Sequence, residues 1–238
     1  MATKKDSHWI PLADLMTVLM IMFLFMAISY MVVIKRKQND QNKIFKEYEE
    51  TKKGLYNELY RTFKNDFKRW NLKLDKDLSI KFTNPQVLFG EGSSEITPYF
   101  QSVLSEFLPK YLSVVMQDKY KDKIAEIRIE GHTNTKAIKR NSDPYIDNME
   151  LSQNRARNVI AYLRTQDCFS KLENSKKEIL QYWITANGLS YGRTVDSEDN
   201  LTIFSKKAID NDQSRRVEFR IVTTSDEIIQ QAIKKMKE

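Results

Sequence analysis

The sequence predicts an α/β domain of the α+β sandwich type, preceded by a single transmembrane helix and a helical linker. Three observations support this prediction. A stretch of 20 residues from Leu15 to Ile34 contains no charged side chain. The next segment repeats apolar residues at helical spacing. From Leu74 onward, segments that alternate like strands are interleaved with segments of helical periodicity, a pattern typical of a sheet covered by helices.

The uncharged stretch is long enough to cross a bilayer. At about 1.5 Å per residue, a helix of this length measures roughly 30 Å, which matches a hydrocarbon core. We therefore predict a short tail at 1–9, which the resemblance described below places in the cytoplasm, and a transmembrane helix at 10–34. A cleaved signal peptide is the alternative, with an apolar core at 15–26 and a small-residue cleavage site at 27–29. The apolar run "YMVVI" that follows argues against cleavage.

Asp14 stands at the N-terminal shoulder of this apolar stretch, in "WIPLADLMTVLM". An ionised carboxylate inside the membrane boundary is costly unless it has a partner or a proton. One interpretation is a helix-start residue, since Pro11 suits a first turn and a negative charge complements the helix dipole. The other is a functional carboxylate that takes up and releases a proton. The segment alone leaves both interpretations open.

The segment 35–73 is predicted to be a helical linker or stalk. Its apolar residues recur three, four or seven positions apart, which marks one face of a helix. A helix from Asn39 to Trp70 would be roughly 48 Å long, so a stalk or dimer seam is favoured over a helix packed on its own domain. The residues of this face are Ile44, Tyr48, Leu55, Leu59, Phe63 and Phe67.

Composition excludes several classes of function. The formal charge of +7 suits an anionic partner, but no basic block with interleaved aromatic residues indicates a nucleic-acid module. A single cysteine, Cys168, excludes an internal disulfide, and two distant histidines, His8 and His132, do not form a metal-ligand motif. The glycine-containing "GEGSSE" lacks the pattern of a phosphate loop or a nucleophile elbow. We therefore predict that the protein is not an enzyme and holds no metal.

The globular domain is predicted at 74–224. Strands are expected at "LSIKF", "IAEIRIEG", "YWITANG" and "RRVEFRIV", with helices at "EITPYFQSVLSEFLPKYLSVVM" and "NMELSQNRARNVIAYLRTQ". The polar segment from Ser190 to Gln213 is expected to be a surface loop, and the tail 225–238 to form a short amphipathic helix.

Several motifs of this domain resemble the OmpA-like peptidoglycan-binding family over about 145 residues. They occur in the family's order: "VLFGEGSSEITP", "IRIEGHTN", "NMELSQNRARNVIAYL", "ITANGLSYGR" and "SRRVEFRI". The resemblance implies an OmpA-like fold that binds the bacterial wall. Stem peptides of peptidoglycan carry carboxylates and an amino group, and a planar guanidinium can bind a carboxylate through two hydrogen bonds.

The resemblance also implies which residues would bind the wall. Arg155 would clamp a carboxylate, and Asn148 and Leu151 would complete the pocket wall. The facing loop would contribute Thr133 and Asn134, and the last strand Arg215. The family usually has an aspartate where this chain has Asn134, so affinity or ligand choice is expected to differ; Ser214 likewise replaces an asparagine. The structural alternatives are a surface arginine at 155 and an ordinary strand-end pair at 215–216.

The N-terminal helix, joined to such a domain, resembles the B subunits of ion-driven stators, the MotB-like family. In that family the aspartate of an "A-D-x-x-T" stretch carries the proton, and Ala13, Asp14 and Thr17 fall on those positions. The resemblance implies a homodimer within a ring of multi-helix membrane A subunits of the MotA or ZorA kind. Protons are the expected driving ion, with sodium as the alternative and no cofactor. The short tail and the altered wall-binding motif are more similar to B subunits of Zorya anti-phage defence systems than to flagellar ones.

This resemblance implies the bacterial inner membrane, a cytoplasmic N-terminus and a periplasmic C-terminal domain. The charge distribution points the other way. "KRK" at 35–37, with Lys43 and Lys46, places more positive charge after the helix than before it, which favours a cytoplasmic domain. The domain motifs are more specific than this charge bias. A flagellar stator subunit and a purely structural anchor between membrane and wall are the alternative functions.

Overall fold

The computed structural model describes residues 9–83, 88–136, 143–226 and 229. The chain divides into two compact units, Met1–Glu47 and Tyr48–Glu238. A continuous helix, α1, occupies Trp9–Phe63 and contributes residues to both units. The other elements are β1 (Leu72–Leu74), β2 (Ser79–Phe82), α2 (Pro98–Val115), a 3₁₀ turn (Asp118–Tyr120), β3 (Ile124–Gly131), α3 (Pro144–Thr165), α4 (Asp167–Ser170), α5 (Asn174–Trp183), β4 (Ile184–Gly188), α6 (Thr202–Ser205), α7 (Asn211–Ser214) and β5 (Val217–Thr223).

The first unit consists, in its described part, of the N-terminal portion of α1. The helix is long and apolar enough to cross a membrane. From Leu12 to Ile34 its large apolar side chains are exposed, including Phe25 at 67% and Tyr30 at 68%. Such a helix is hydrophobic all round, which is typical of a membrane span rather than of a helix on the surface of a water-soluble protein.

The second unit is built on a five-stranded sheet with the order β1-β2-β5-β3-β4. All neighbouring pairs are antiparallel except β3 and β4, which are parallel. A parallel pair needs a crossover connection, and here α3, α4 and α5 supply it. The chain therefore combines antiparallel pairs with a βαβ unit, and the predicted α/β sandwich is confirmed.

One face of the sheet carries the hydrophobic core. The register aligns Ile80, Phe219 and Ile129 across three strands, and each is at most 1% exposed. The helices contribute large aromatic rings to this face: Phe107 of α2 lies 5.0 Å from Phe219, centroid to centroid. Phe63 of α1 in turn stacks on Phe107 at 4.9 Å.

The C-terminal part of α1 belongs to this core, which differs from the predicted linker at 35–73. Leu55, Leu59 and Phe63 have no exposed surface. Their spacing correctly identified one face of a helix. That face packs on the domain's own core, where Phe63 stacks on Phe107 of α2. The compact unit begins at Tyr48, and only the part of the predicted linker before it lies outside the unit.

The opposite face of the sheet is polar and is covered by the segment between β4 and β5. This segment was expected to be a surface loop, but Thr194, Val195 and Asp196 are buried. Asp199 pairs with Lys81 of β2 at 3.0 Å and with Lys73 of β1. The segment therefore forms part of the domain's packing. Of the predicted tail helix at 225–238, most residues lie outside the described part of the chain.

Candidate functional site

Asp14 lies in the exposed apolar portion of α1, beyond the first helical turn. The effect of a helix dipole on a charge fades within the first turn, and that turn of α1 contains no acidic residue. Thr17 lies three residues further, on the same side of the helix. Its hydroxyl donates a hydrogen bond to the Ala13 carbonyl oxygen at 2.8 Å. Asp14 is therefore a carboxylate on an apolar helix surface, where an ionised group is expensive in a membrane.

The helix α3 places three of the predicted wall-binding residues on one face. Its start is fixed by Asp143, whose carboxylate accepts the Tyr145 N–H at 2.8 Å, and by a proline at the first helical position. Asn148, Leu151 and Arg155 follow at spacings of three and four, and they are 1%, 2% and 6% exposed. Leu151 thus packs inside the domain, whereas the polar ends of the other two make specific hydrogen bonds.

Two glycines allow α3 to lie directly on the ends of the parallel strands. A Cβ atom on Gly131 would stand 2.1 Å from the Ser152 carbonyl oxygen, and one on Gly188 would stand 2.5 Å from the Gln153 nitrogen. No side chain fits at those distances. The Gln153 side chain accepts the Gly188 N–H at 2.6 Å and donates to the Ala186 carbonyl oxygen at 3.1 Å. This contact fixes the position and rotation of α3 relative to the sheet.

The Arg155 guanidinium is buried against the loop that precedes α2. Its Nε donates to the Ser93 carbonyl oxygen at 2.9 Å, and one Nη donates to the Gly90 carbonyl oxygen at 3.4 Å. The guanidinium also lies over the Phe89 ring, 5.0 Å from its centroid. In the described part of the chain, no carboxylate pairs with it and its Nη1 has no acceptor. Burial, followed by repulsion from Arg215, lowers the pKa of Arg155 to about 10.

Arg215 is the second cation of this region. Its Nη2 pairs with the exposed Asp212 at 2.7 Å, and its Nε is buried and lacks an acceptor among the described residues. Arg215 lies close enough to Arg155 for its positive charge to contribute to the lowered pKa of that guanidinium. Two cations held together at a partly buried site favour an anionic ligand, and a carboxylate suits the planar guanidinium.

The loop after β3 is held between α3 and β5. His132 N–H donates to the Arg216 carbonyl oxygen at 3.0 Å, and Thr133 N–H donates to the Ser190 carbonyl oxygen at 2.9 Å. The Ser190 N–H donates in turn to the Ser152 hydroxyl of α3 at 3.0 Å. The structure therefore ties the predicted loop residues to the same helix that carries Arg155.

The amide of Asn148 braces this loop. Its Nδ2 donates to the Pro144 carbonyl oxygen at 2.9 Å and to the Lys136 carbonyl oxygen at 3.4 Å. Asn134 Oδ1 accepts the Lys136 N–H at 3.1 Å, whereas Asn134 Nδ2 and Thr133 Oγ1 are buried without a partner in the described region. Asn148 thus positions the loop, and Thr133 Oγ1 and Asn134 Nδ2 keep unused hydrogen-bonding capacity within it.

A second buried cluster was missed by sequence analysis. Glu130, His132 and Glu218 bring potential metal-ligand atoms within 4.8 Å of one another. His132 Nε2 lies 3.7 Å from Glu130 Oε2 and 3.5 Å from Glu218 Oε1. The cluster was missed because residues 132 and 218 are far apart in the sequence. The alternation of charged and apolar residues in "RRVEFRIV" does indicate that Glu218 lies on the face of the strand opposite the core.

Cations already neutralise the carboxylates of this cluster. Arg216 Nε lies 2.6 Å from one oxygen of Glu218, and Arg220 lies 3.1 Å from the other. Burial alone would raise the pKa of Glu218, but the surrounding cations outweigh it and lower the pKa to about 2. Burial and the nearby Arg216 lower the pKa of His132, so its imidazole is neutral at pH 7. A divalent cation would enter beside two guanidiniums, so the residues fit an ion-pair network better than a metal site.

Comparisons with known proteins identify related sequences and structures. Residues 88–202 match the OmpA family. The chain is 35% identical over 229 residues to the Zorya protein ZorB of Escherichia coli, covering 94% of this chain and 92% of that protein. A solved MotB-like protein from Desulfovibrio vulgaris is 23% identical, with a TM-score of 0.46 over 72% of this chain and 91% of that chain. The periplasmic domain of Helicobacter pylori MotB is 15% identical, with a TM-score of 0.41 over 64% and 80% of the two chains.

The fold and the match at 88–202 define the second unit as an OmpA-like domain. The identity and coverage of the Escherichia coli relative go further: the chain belongs to the ZorB family. The predicted resemblance to MotB-like B subunits, and to those of Zorya systems in particular, is confirmed.

The buried Glu218 generates a prediction about stability and pH. Its pKa in the folded chain is below that of an unfolded glutamate, so its contribution to stability is complete above about pH 4.5 and is lost as the pH falls towards 2. We expect Glu218→Gln to lower the unfolding free energy at pH 7 and to flatten its decline between these pH values. Denaturant unfolding of the full chain in detergent measures both effects.

The matched control is Glu198→Gln, because Glu198 pairs with Lys207 at an exposed position. This variant should follow the wild-type curve. A Glu218→Gln curve with the wild-type slope in acid would contradict the assigned role of the ion-pair network.

Proposed function

We propose that the protein is the B subunit of a proton-driven motor in the bacterial inner membrane. In this proposal α1 crosses the membrane, Asp14 carries protons at the contact with a ring of multi-helix A subunits, and the OmpA-like domain anchors a homodimer to peptidoglycan. The motor would serve anti-phage defence of the Zorya type. The membership in the ZorB family supports this assignment.

The observation that carries the motor function is Asp14. It lies past the first turn of a helix whose apolar side chains are exposed from Leu12 to Ile34. Stability in water does not explain a carboxylate in that position, and neither does the helix dipole. A carboxylate that alternates between charged and protonated forms does explain it, because ionisable groups within membrane helices usually serve ion pathways.

Protonation of Asp14 would remove the charge that opposes its movement past an apolar surface of the A subunits. A membrane potential supplies about 2.3 kcal/mol per elementary charge per 100 mV, which is several times the thermal energy and can bias the direction of a step. The Thr17 hydroxyl, on the same side of the helix, can accept or donate a hydrogen bond as the proton arrives. Sodium remains the alternative driving ion.

The wall-binding function is supported by the two arginines. Arg155 is a buried cation without a carboxylate partner in the described part of the chain, and Arg215 adds a second positive charge. A buried unpaired guanidinium is costly, and a carboxylate of a stem peptide would compensate that cost. Anchoring of this kind would let an A-subunit ring turn against a fixed B dimer. Such a role requires no catalysis by this chain.

Replacement of Asp14 tests the motor function. We expect Asp14→Asn to abolish phage protection while leaving membrane level and wall binding unchanged, since the amide keeps the shape but cannot exchange a proton. Phage plaque formation and swimming are scored in a host that carries this gene with its neighbouring genes, and membrane levels are checked by blot. Asp40→Asn, an exposed change further along α1, is the matched control and should protect as the wild type does.

The two readouts separate the alternatives. Loss of swimming instead of protection would identify a flagellar stator subunit. An Asp14→Asn variant with wild-type activity would contradict the proton-carrying role and leave a structural anchor.

Replacement of Arg155 tests wall binding. We expect Arg155→Lys to weaken binding of the full chain to purified peptidoglycan by roughly ten- to a hundredfold, because hydrogen bonds to charged groups contribute about 1.5–3 kcal/mol and lysine cannot form the bidentate pair. Cosedimentation with peptidoglycan in detergent measures the affinity. Arg157→Ala is the control, since Arg157 lies on the exposed side of the same helix.

Arg155 also holds the loop at 90–93, so the folding of each variant is checked by thermal unfolding. A well-folded Arg155→Lys variant with wild-type affinity would show that the arginine serves only the loop, and wall binding through this site would be rejected.

A further inference from the structure

The binding region around Arg155 presents hydrogen-bond donors and positive charge. Arg155 and Arg215 are its cations, and neither Arg155 Nη1 nor Arg215 Nε has an acceptor among the described residues. The carboxylate that pairs with Arg215 is Asp212, which does so from an exposed position. A ligand that enters this region therefore meets a positive potential.

Asn134 determines whether the unpaired polar atom of this loop is a hydrogen-bond donor or an acceptor. Its Oδ1 is occupied by the Lys136 N–H at 3.1 Å, which fixes the orientation of the amide. The atom left without a partner is therefore Nδ2, a donor, and the side chain is 4% exposed. An aspartate in the same position would keep the bond to Lys136 and present a negatively charged acceptor instead.

The loop that carries Asn134 is fixed relative to Arg155. The Asn148 amide binds the Lys136 carbonyl oxygen, and Ser190 connects the Thr133 N–H to the Ser152 hydroxyl. Asn148 and Ser152 lie on the same helix α3 as Arg155, within two turns of it. Residue 134 is therefore held on a loop that is attached to the helix that carries Arg155.

We infer that this site selects a stem-peptide carboxylate whose neighbouring amine is acylated, as in a peptide cross-link, over one whose amine is a free ammonium. This inference rests on the proposed wall binding and adds the form of the wall that is bound. A free ammonium next to the bound carboxylate would face two guanidiniums and an amide donor without a compensating charge. An acylated amine carries no charge and offers a carbonyl oxygen that can accept a hydrogen bond.

A matched pair of ligands tests this selectivity. One is a stem tripeptide that ends in meso-diaminopimelate with its side-chain amine free, and the other is the same peptide acetylated on that amine. Their affinities for the full chain in detergent are measured by titration calorimetry. We expect the wild type to bind the acetylated peptide roughly tenfold more tightly, which corresponds to one well-formed hydrogen bond and the absence of the unpaired ammonium.

Asn134→Asp tests the residue responsible. This change is nearly isosteric and retains the acceptor for Lys136, so folding should be preserved. We expect it to reverse the preference, with the free-amine peptide then bound more tightly. Asn57→Asp adds the same charge at an exposed position of α1 and should leave the wild-type ratio unchanged.

The outcomes distinguish this inference from the function on which it rests. The selectivity would be overturned if the wild type bound both peptides equally or preferred the free amine. It would also be overturned if Asn134→Asp left the ratio of the two affinities unchanged. In either case, loss of both affinities in Arg155→Lys would still support wall binding. Failure of the wild type to bind either peptide would overturn the selectivity and wall binding through this site together.

Discussion

The direct contact of α3 with the ends of β3 and β4 is the constraint on which the candidate site depends. At Gly131 and Gly188 the helix backbone approaches so closely that no Cβ atom fits. The Gln153 side chain then locks the helix to β4 through two hydrogen bonds. Because the helix is fixed in height and rotation, Arg155 faces the loop at 90–93 and Asn148 faces the loop after β3. A helix held one methyl group further away would lose both sets of contacts.

The two faces of the sheet are stabilised by different interactions. Aromatic packing covers one face, where Phe82, Phe107 and Phe219 meet with ring centroids 5.0–5.7 Å apart. The other face carries Lys81 and Glu218 in a network of ion pairs closed by the segment between β4 and β5. Buried ion pairs contribute little net stability but are costly to break, so this network holds the start of β5 in one conformation. The position of Arg215, which directly precedes β5, and that of the loop after β3, which is bonded to the Arg216 carbonyl oxygen, both depend on the start of β5.

Much of the fold could be predicted from the sequence because its signals are local. The period of "IAEIRIEG" and the apolar face of α3 are properties of short segments, and the structure has both elements there. The boundary of the linker could not be predicted, because a helix face looks the same whether it packs on its own domain or on a partner. The pairing of Glu218 with Arg216 beneath the segment at 190–213, and the carbonyl partners of Arg155, depend on contacts between residues far apart in sequence. The short strand Leu72–Leu74 was missed because three residues carry too little pattern.

The side of the membrane on which the OmpA-like domain lies decides whether the domain can anchor the chain to the wall. A wall anchor must lie outside the cytoplasm, whereas the positive charge at 35–37 favours the cytoplasmic side. The measurement is the activity of two reporters fused after Glu238: alkaline phosphatase, which is active only outside the cytoplasm, and a reporter active only within it. An active phosphatase fusion with a silent cytoplasmic reporter is the predicted result. The reverse pattern would contradict both the wall anchor and the motor that depends on it.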